Sequence, residues 1–124
     1  MNSERAPYVG VDLAEVERLR SAVTRWGDQF LSRVFTDSEL AYCAGRLPQL
    51  TARFAAKEAM AKALGTGIRG FGWRDIEVVS SADGRPTILL HGRAADRGQL
   101  LNISRIAVSL SHSAGQAIAV IVAT

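Results

Sequence analysis

Apolar residues change their spacing twice along this chain. Tyr8-Val9-Gly10-Val11-Asp12 is a short apolar run ending in an acid, and it predicts a strand. Leu13, Val16, Leu19, Val23 and Trp26 then recur at helical spacing, with Gly27 as the stop. Asp28 to Phe35 reads as a second short helical turn, with Phe30, Leu31 and Val34 apolar. Thr36-Asp37-Ser38-Glu39 has the spacing of a capping box and starts a helix through Tyr42 and Cys43. Pro48 precedes a long alanine-rich helix, roughly Leu50 to Leu64, with Gly65 at its C-terminal end. A glycine-rich loop containing Gly70 and Gly72 follows, and the period changes. Ile76 to Val79 and Thr87 to Leu90 read as strands around Ala82-Asp83-Gly84-Arg85-Pro86, where Asp-Gly is a strong turn signal. Arg93 to Ile103 reads as a helix. Ile106 to Leu110 and Ala117 to Val122 read as two more strands, joined as a hairpin by the loop Ser111 to Gln116. Helices cluster early and strands late, which indicates an α+β fold with a mostly antiparallel sheet.

Length and composition narrow this picture. The chain has 124 residues, so one domain over 1–124 is expected. Hydrophobic residues make up 48%, enough for a core and too many for a disordered chain. No apolar run approaches the roughly 18 to 20 residues of a membrane span, and the N-terminus has no apolar signal-peptide core. The single cysteine, Cys43, cannot form an internal disulfide and reads as a small buried apolar residue in a reducing cytoplasm. Net charge is +3, and the excess comes from arginine, whose fork suits phosphates and carboxylates. The chain has no Cys/His finger, no aromatic RNA-binding motif and no dense basic run, so nucleic acid is not the expected partner. An acidic protein or a multiply phosphorylated small molecule explains a mild excess equally well.

Candidate chemistry centres on the alanine-rich helix. With Phe54 at the centre of its apolar face, Glu58 falls at the edge of that face, where a carboxylate is costly unless its charge is compensated. Lys62 comes one turn later, and spacing alone also allows an ordinary Glu58–Lys62 helix pair. Asp12 sits where a strand gives way to a helix. It caps that helix, with Glu15 three residues on, or binds a metal, and the two roles can coexist on its two oxygens. Two carboxylates with phosphate oxygens would form a hard, oxygen-rich site of the kind Mg²⁺ prefers, with Lys62 a point charge toward phosphate. Gly65-Thr66-Gly67 lies at a helix C-terminus, where the dipole repels anions, so nearby amides and cations must do any phosphate binding there. Read alone, it is a glycine cap and a turn. His112, between two serines at the hairpin tip, is either simply solvated or a donor to phosphate. His91 has a structural reading at a strand end, and two histidines with one cysteine do not suggest a structural zinc site.

These pieces together resemble one family. Gly10-Val11-Asp12-Leu13 with Glu15, Glu17 and Arg18, then Phe35-Thr36-Asp37-Ser38-Glu39-Leu40, then Arg53 to Ala59 with Lys62 to Gly67, then Val108-Ser109-Leu110-Ser111-His112-Ser113, resemble the holo-acyl-carrier-protein synthases. These are the short, trimeric members of the 4′-phosphopantetheinyl transferase superfamily. The resemblance covers nearly the whole chain in order, and it implies that superfamily's fold as a homotrimer. It further implies transfer of 4′-phosphopantetheine from coenzyme A to a serine of an apo acyl carrier protein, with Mg²⁺ required and 3′,5′-ADP released. By the resemblance, Asp12 and Glu58 are the magnesium carboxylates and Lys62 contacts the phosphates. Gly65, Thr66 and Gly67 border the coenzyme A site. Arg53, His112 and Ser113 help bind the nucleotide 3′-phosphate, with His112 reaching in from a neighbouring subunit. Arg18, Arg20 and Arg25 match the region that receives the acidic carrier protein. Ser113 stands where a threonine is often expected, and either hydroxyl can contact phosphate.

The residue types suit that chemistry: a metal and a lysine stabilise charge on the phosphate oxygens, and positioning supplies much of the rest. The serine proton needs an acceptor, a metal-held water or a carboxylate, and Glu58 is the protein group to name. Two other classes compete. A Mg²⁺-dependent nucleotide or pyrophosphate hydrolase would use the same carboxylates without a carrier protein. A non-catalytic basic binding module would use them only as helix caps.

Overall fold

The computed structural model describes residues 5–68 and 72–124; the expected loop residue Gly70 lies outside them. The chain begins with strand β1 (Tyr8–Glu15), then helices α1 (Val16–Trp26), α2 (Asp28–Val34), α3 (Asp37–Cys43) and the long α4 (Leu47–Ala63). A 3-10 turn over Trp73–Asp75 leads into β2 (Ile76–Ser80) and β3 (Pro86–Leu90). Helix α5 (Gly92–Leu100) and strands β4 (Ile106–Ser113) and β5 (Gln116–Ala123) complete it. β1, β5 and β4 form one antiparallel sheet with β5 in the middle, and β2 and β3 form a separate antiparallel hairpin. The α+β expectation with antiparallel pairing holds.

Helix α4 lies across β1 and β5 and is the centre of the core. Its small residues allow this: Ala55, Ala56, Ala59 and Ala61 are all fully buried. The facing strands are equally lean, with Ala14, Ala117, Ala119, Ile121 and Ala123 turned inward. Gly10 takes the approach further. A Cβ at Gly10 would stand 1.8 Å from the Ala59 carbonyl oxygen, so only glycine lets β1 lie this close to α4. A second cluster, Leu19, Val34, Phe35, Cys43 and Leu50, packs the first three helices on the N-terminal half of α4. Cys43 is buried, as expected.

Several boundaries differ from the sequence reading. β1 continues through Leu13 and Ala14 to Glu15, pairing Leu13 with Ile118 and Glu15 with Gln116. α1 therefore starts at Val16, and Leu13 belongs to the strand. Asp12 is a mid-strand residue, not a junction residue, and the N-cap position of α1 is Glu15, which makes no side-chain capping bond. The capping reading of Asp12 with Glu15 is thereby withdrawn. α4 begins at Leu47, three residues early, because Pro48 sits in its first turn, where its missing N–H leaves no bond unmade. α5 ends at Leu100, not Ile103; Asn102 turns to φ 59°. The final hairpin is tighter than expected: β4 runs to Ser113, and Ala114-Gly115, both at positive φ, make a two-residue turn. The Thr36–Glu39 capping box forms in both directions, and Gly27 ends α1.

Candidate active site

Strand alternation decides where Asp12 goes. Val9, Val11 and Leu13 face outward, while Gly10, Asp12 and Ala14 face α4. Asp12 pairs in register with Ala119 of β5, and its side chain is only 17% exposed. From α4, Lys62 reaches the same place: Nζ donates to Asp12 Oδ1 at 3.1 Å and to the Val11 carbonyl at 3.1 Å. Spacing had allowed a Glu58–Lys62 helix pair; the ion pair that Lys62 makes is with Asp12, across the strand–helix contact.

Glu58, one turn before Lys62, is half-buried. Burial pushes its carboxyl above the usual value, and the neighbouring Asp12 carboxylate pushes it the same way, against Lys62 and Arg18. Asp12 and Glu58 therefore feel each other electrostatically where β1 meets α4. Two carboxylates share a site with one lysine and, from α1, one arginine. Like charges so placed favour a proton or a cation between them. Their donor set, carboxylate oxygens beside an open face, fits a hard divalent ion such as Mg²⁺.

Gly65-Thr66-Gly67 follows directly. The amides of Leu64, Gly65 and Gly67 return to the carbonyls of Met60, Lys62 and Ala61, and Gly65 and Gly67 take φ of 81° and 63°. Thr66 Oγ1 donates to the Gly67 carbonyl.

Arg53 lies elsewhere on α4. It is 4% exposed, its Nη2 donates to Ser80 Oγ at 3.0 Å, and its guanidinium lies 4.1 Å over the Tyr42 ring. Its Nε is buried without a partner. Arg53 also lines a hollow of about 280 Å³ with Pro86, Val108 and Ser109. His112 and Ser113 line a different hollow, of about 170 Å³, with Leu13, Gln116 and Ile118. They sit on the end of β4, not at a loop tip as expected. Among the described hydrogen bonds and ion pairs, one protomer does not join His112 or Ser113 to Asp12, Glu58 or Arg53. Of the α1 arginines, Arg18 faces Glu58 electrostatically, Arg20 pairs with Glu17 at 2.9 Å, and Arg25 lies over Trp26.

Sequence reading missed the support beneath this arrangement. Lys57, fully buried, donates to Glu39 Oε1 at 2.8 Å and to the carbonyls of Ile76 and Trp73. Glu39 also accepts from the amides of Thr36 and Val78. Burial holds the Lys57 ammonium below its usual value, against the opposing pull of Glu39. The pair ties α3 and β2 to the helix that carries Glu58 and Lys62. Its one sequence signal is Lys57 four residues after Arg53, on a stripe otherwise apolar. His91 bears out its structural reading: Nε2 contacts Glu77 Oε1 at 2.9 Å, beside Thr36 and Ser38.

Comparison with known proteins adds an independent line. The model of the 4′-phosphopantetheinyl transferase superfamily matches residues 8–121. A holo-acyl-carrier-protein synthase of Herpetosiphon aurantiacus is 48% identical over 120 residues, covering 91% of this chain and 94% of the relative. One of Chloroflexus aggregans is 50% identical, covering 94% of each. The Helicobacter pylori holo-acyl-carrier-protein synthase, solved in complex with coenzyme A, superposes with a TM-score of 0.86 at 33% identity, over 94% of this chain and 99% of that one.

Proposed function

This chain belongs to the 4′-phosphopantetheinyl transferase superfamily, among its holo-acyl-carrier-protein synthases, and on that premise we propose that it transfers 4′-phosphopantetheine from coenzyme A to a serine of an acyl carrier protein. The products are the holo carrier protein and 3′,5′-ADP. The observation that carries the chemistry is the meeting of Asp12, Glu58 and Lys62 where β1 crosses α4.

Asp12 and Glu58 hold Mg²⁺ in this reading, and the ion neutralises the pyrophosphate when bound. Lys62 places a solvent-facing ammonium beside Asp12 and stabilises charge on the phosphate oxygens. The Gly65–Gly67 turn borders the donor, and its positive-φ glycines keep side chains out of the way. The serine oxygen forms a bond to the β-phosphorus as the bond to the bridging oxygen breaks, and 3′,5′-ADP leaves with that electron pair. The serine proton goes to a carboxylate, and Glu58 is the protein group assigned to take it. Arg53, which lines the hollow beside Ser80 and Ser109, answers the nucleotide 3′-phosphate with its guanidinium charge.

His112 and Ser113 serve the same phosphate from a neighbouring subunit of a homotrimer. Support for assembly comes from the outer sheet face. Val9, Val11, Leu13, Ile118, Val120 and Val122 are all exposed there, a contiguous apolar surface that a solvated monomer rarely keeps. Arg18, Arg20 and Arg25 on α1 offer the acidic carrier protein its docking charge.

Intact-mass analysis of an apo acyl carrier protein with this protein and coenzyme A, with Mg²⁺ or with EDTA, tests the reading. A Mg²⁺-dependent gain of one phosphopantetheine group is expected. Coenzyme A cleaved without any gain would replace the transferase with a hydrolase.

A further inference from the structure

The donor-binding turn poses an electrostatic problem. Gly65-Thr66-Gly67 sits at the C-terminal end of α4, the negative end of the helix dipole, yet it borders a polyanion in the reading above. Four of the carbonyls at this end have partners among the described residues. Those of Met60, Ala61 and Lys62 accept amides of the turn itself. The Leu64 carbonyl accepts instead from another element: Nε of Arg97, on α5, at 2.9 Å. Nη2 of Arg97 also stands 3.6 Å from where a Gly65 Cβ would be, so the guanidinium lies against the turn. Arg97 is only partly exposed, and solvent and salt screen it less than a surface arginine.

We propose that Arg97 is a positioning residue for the phosphorylated donor: it fixes the Gly65–Gly67 turn through the Leu64 carbonyl and places a permanent positive charge on the negative end of α4. The proposal rests on the transferase reading for the identity of the donor. Lys62 does not do the same work, since its ammonium is held by Asp12 and the Val11 carbonyl. Nor can an alternative side chain replace both functions: a lysine keeps the charge, and a glutamine keeps only a neutral donor.

The test compares the full-length protein with Arg97→Gln and Arg97→Lys. Coenzyme A binding is measured by titration calorimetry, and KM and kcat by transfer to an apo carrier protein. Arg97→Gln is expected to weaken coenzyme A binding and raise its KM about tenfold, with kcat and the carrier-protein KM within about twofold. Arg97→Lys restores binding to within about threefold of wild type, because charge is the larger part of the effect. A folded Arg97→Gln protein that binds coenzyme A as tightly as wild type would overturn the proposal. So would an Arg97→Lys protein as impaired as Arg97→Gln, which marks a purely structural clamp. Wild-type protein that binds coenzyme A but transfers nothing removes the transferase reading while the binding comparison still decides on Arg97. Wild-type protein that binds no coenzyme A removes both.

Discussion

Replacing Gly10 with alanine tests whether the close contact of β1 and α4 is what assembles the site. The added Cβ would lie 1.8 Å from the Ala59 carbonyl oxygen and 3.1 Å from the Ala63 amide nitrogen. Real Cβ atoms essentially never come within 3.0 Å of another heavy atom, so strand and helix must separate by about 1.2 Å. The obstacle is main chain in the middle of a buried helix, so no rotamer change relieves it, and Ala59→Gly does not rescue it. Overpacking of this kind costs about 1–3 kcal/mol, and the rigid partner puts Gly10→Ala at the upper end. Asp12 lies two residues along the same face and moves with the strand, away from Glu58 and Lys62. A displacement of about 1 Å at reacting groups costs roughly a hundredfold in rate. Urea unfolding monitored by circular dichroism gives the stability change, and mass-detected transfer at saturating Mg²⁺ gives the rate. The expected result is a folded protein, less stable by about 3 kcal/mol, with turnover reduced by about two orders of magnitude. Wild-type stability and turnover in Gly10→Ala would mean that β1 does not approach α4 as described, and the assembly argument would fail.

Four further outcomes follow from the same contacts. Lys57→Met leaves the buried Glu39 carboxylate without its cation and should cost about 3 kcal/mol in urea unfolding; a loss below about 1 kcal/mol would show that the amides of Thr36 and Val78 suffice. Burial alone would raise the Glu77 carboxyl, but hydrogen bonds from Ser38, Thr36 and His91 outweigh it and bring it to about 2. A carboxyl depressed in the folded state stabilises above its unfolded value, near 4.5, and loses that stabilisation as pH falls toward 2. Wild type should therefore exceed Glu77→Gln in stability by about 1–2 kcal/mol at pH 7, after allowance for solvent screening, with the gap closing between pH 4.5 and 2; a gap constant with pH contradicts the assignment. Asp12→Ala and Glu58→Ala should abolish Mg²⁺-dependent transfer with melting temperature nearly unchanged, since an ion pair as solvent-accessible as Lys62–Asp12 contributes little to folding; normal turnover by either variant removes that residue from the metal site. Val120→Asp, on the outer sheet face, should yield a folded monomer by light scattering that has lost transfer, and an active monomer would dismiss the shared site.

What the sequence made legible was local. The Thr36–Glu39 capping box needs four residues and nothing else, and it formed as read. Gly27 and Gly65 stop helices because the following backbone turns to positive φ, again a local requirement. The failures came where a distant strand overruled local spacing. Leu13 fits a helical repeat with Val16 and Leu19, yet its pairing with Ile118 keeps it extended. That extension left Asp12 four residues before the start of α1 at Val16 and ended its capping role. Ser111-His112-Ser113 is polar enough to read as a loop, but β5 supplies a partner for each residue up to Ser113. Lys62 showed a glutamate four residues back, and spacing could not reveal an aspartate fifty positions away. Glu58 stood out because an acid on an apolar face needs a reason, whereas Asp12 stood out for a strand–helix junction position that the fold does not keep.

Two glutamates show how differently the fold treats a carboxylate. Glu39 is fully buried and fully answered: Lys57 and two backbone amides meet its oxygens. Glu58 is half-buried on the next helix and is placed beside Asp12, so that its charged form is disfavoured. Lys62, the nearest ammonium, spends its hydrogen bonds on Asp12 and Val11. Mere stability would be better served by a partner for Glu58 like the one Glu39 has, or by an apolar side chain at that position. On the proposed function, a divalent cation between the two carboxylates would offset their repulsion. That pairing gives a doubly charged ion with its phosphorylated donor more to offset than a singly charged cation could.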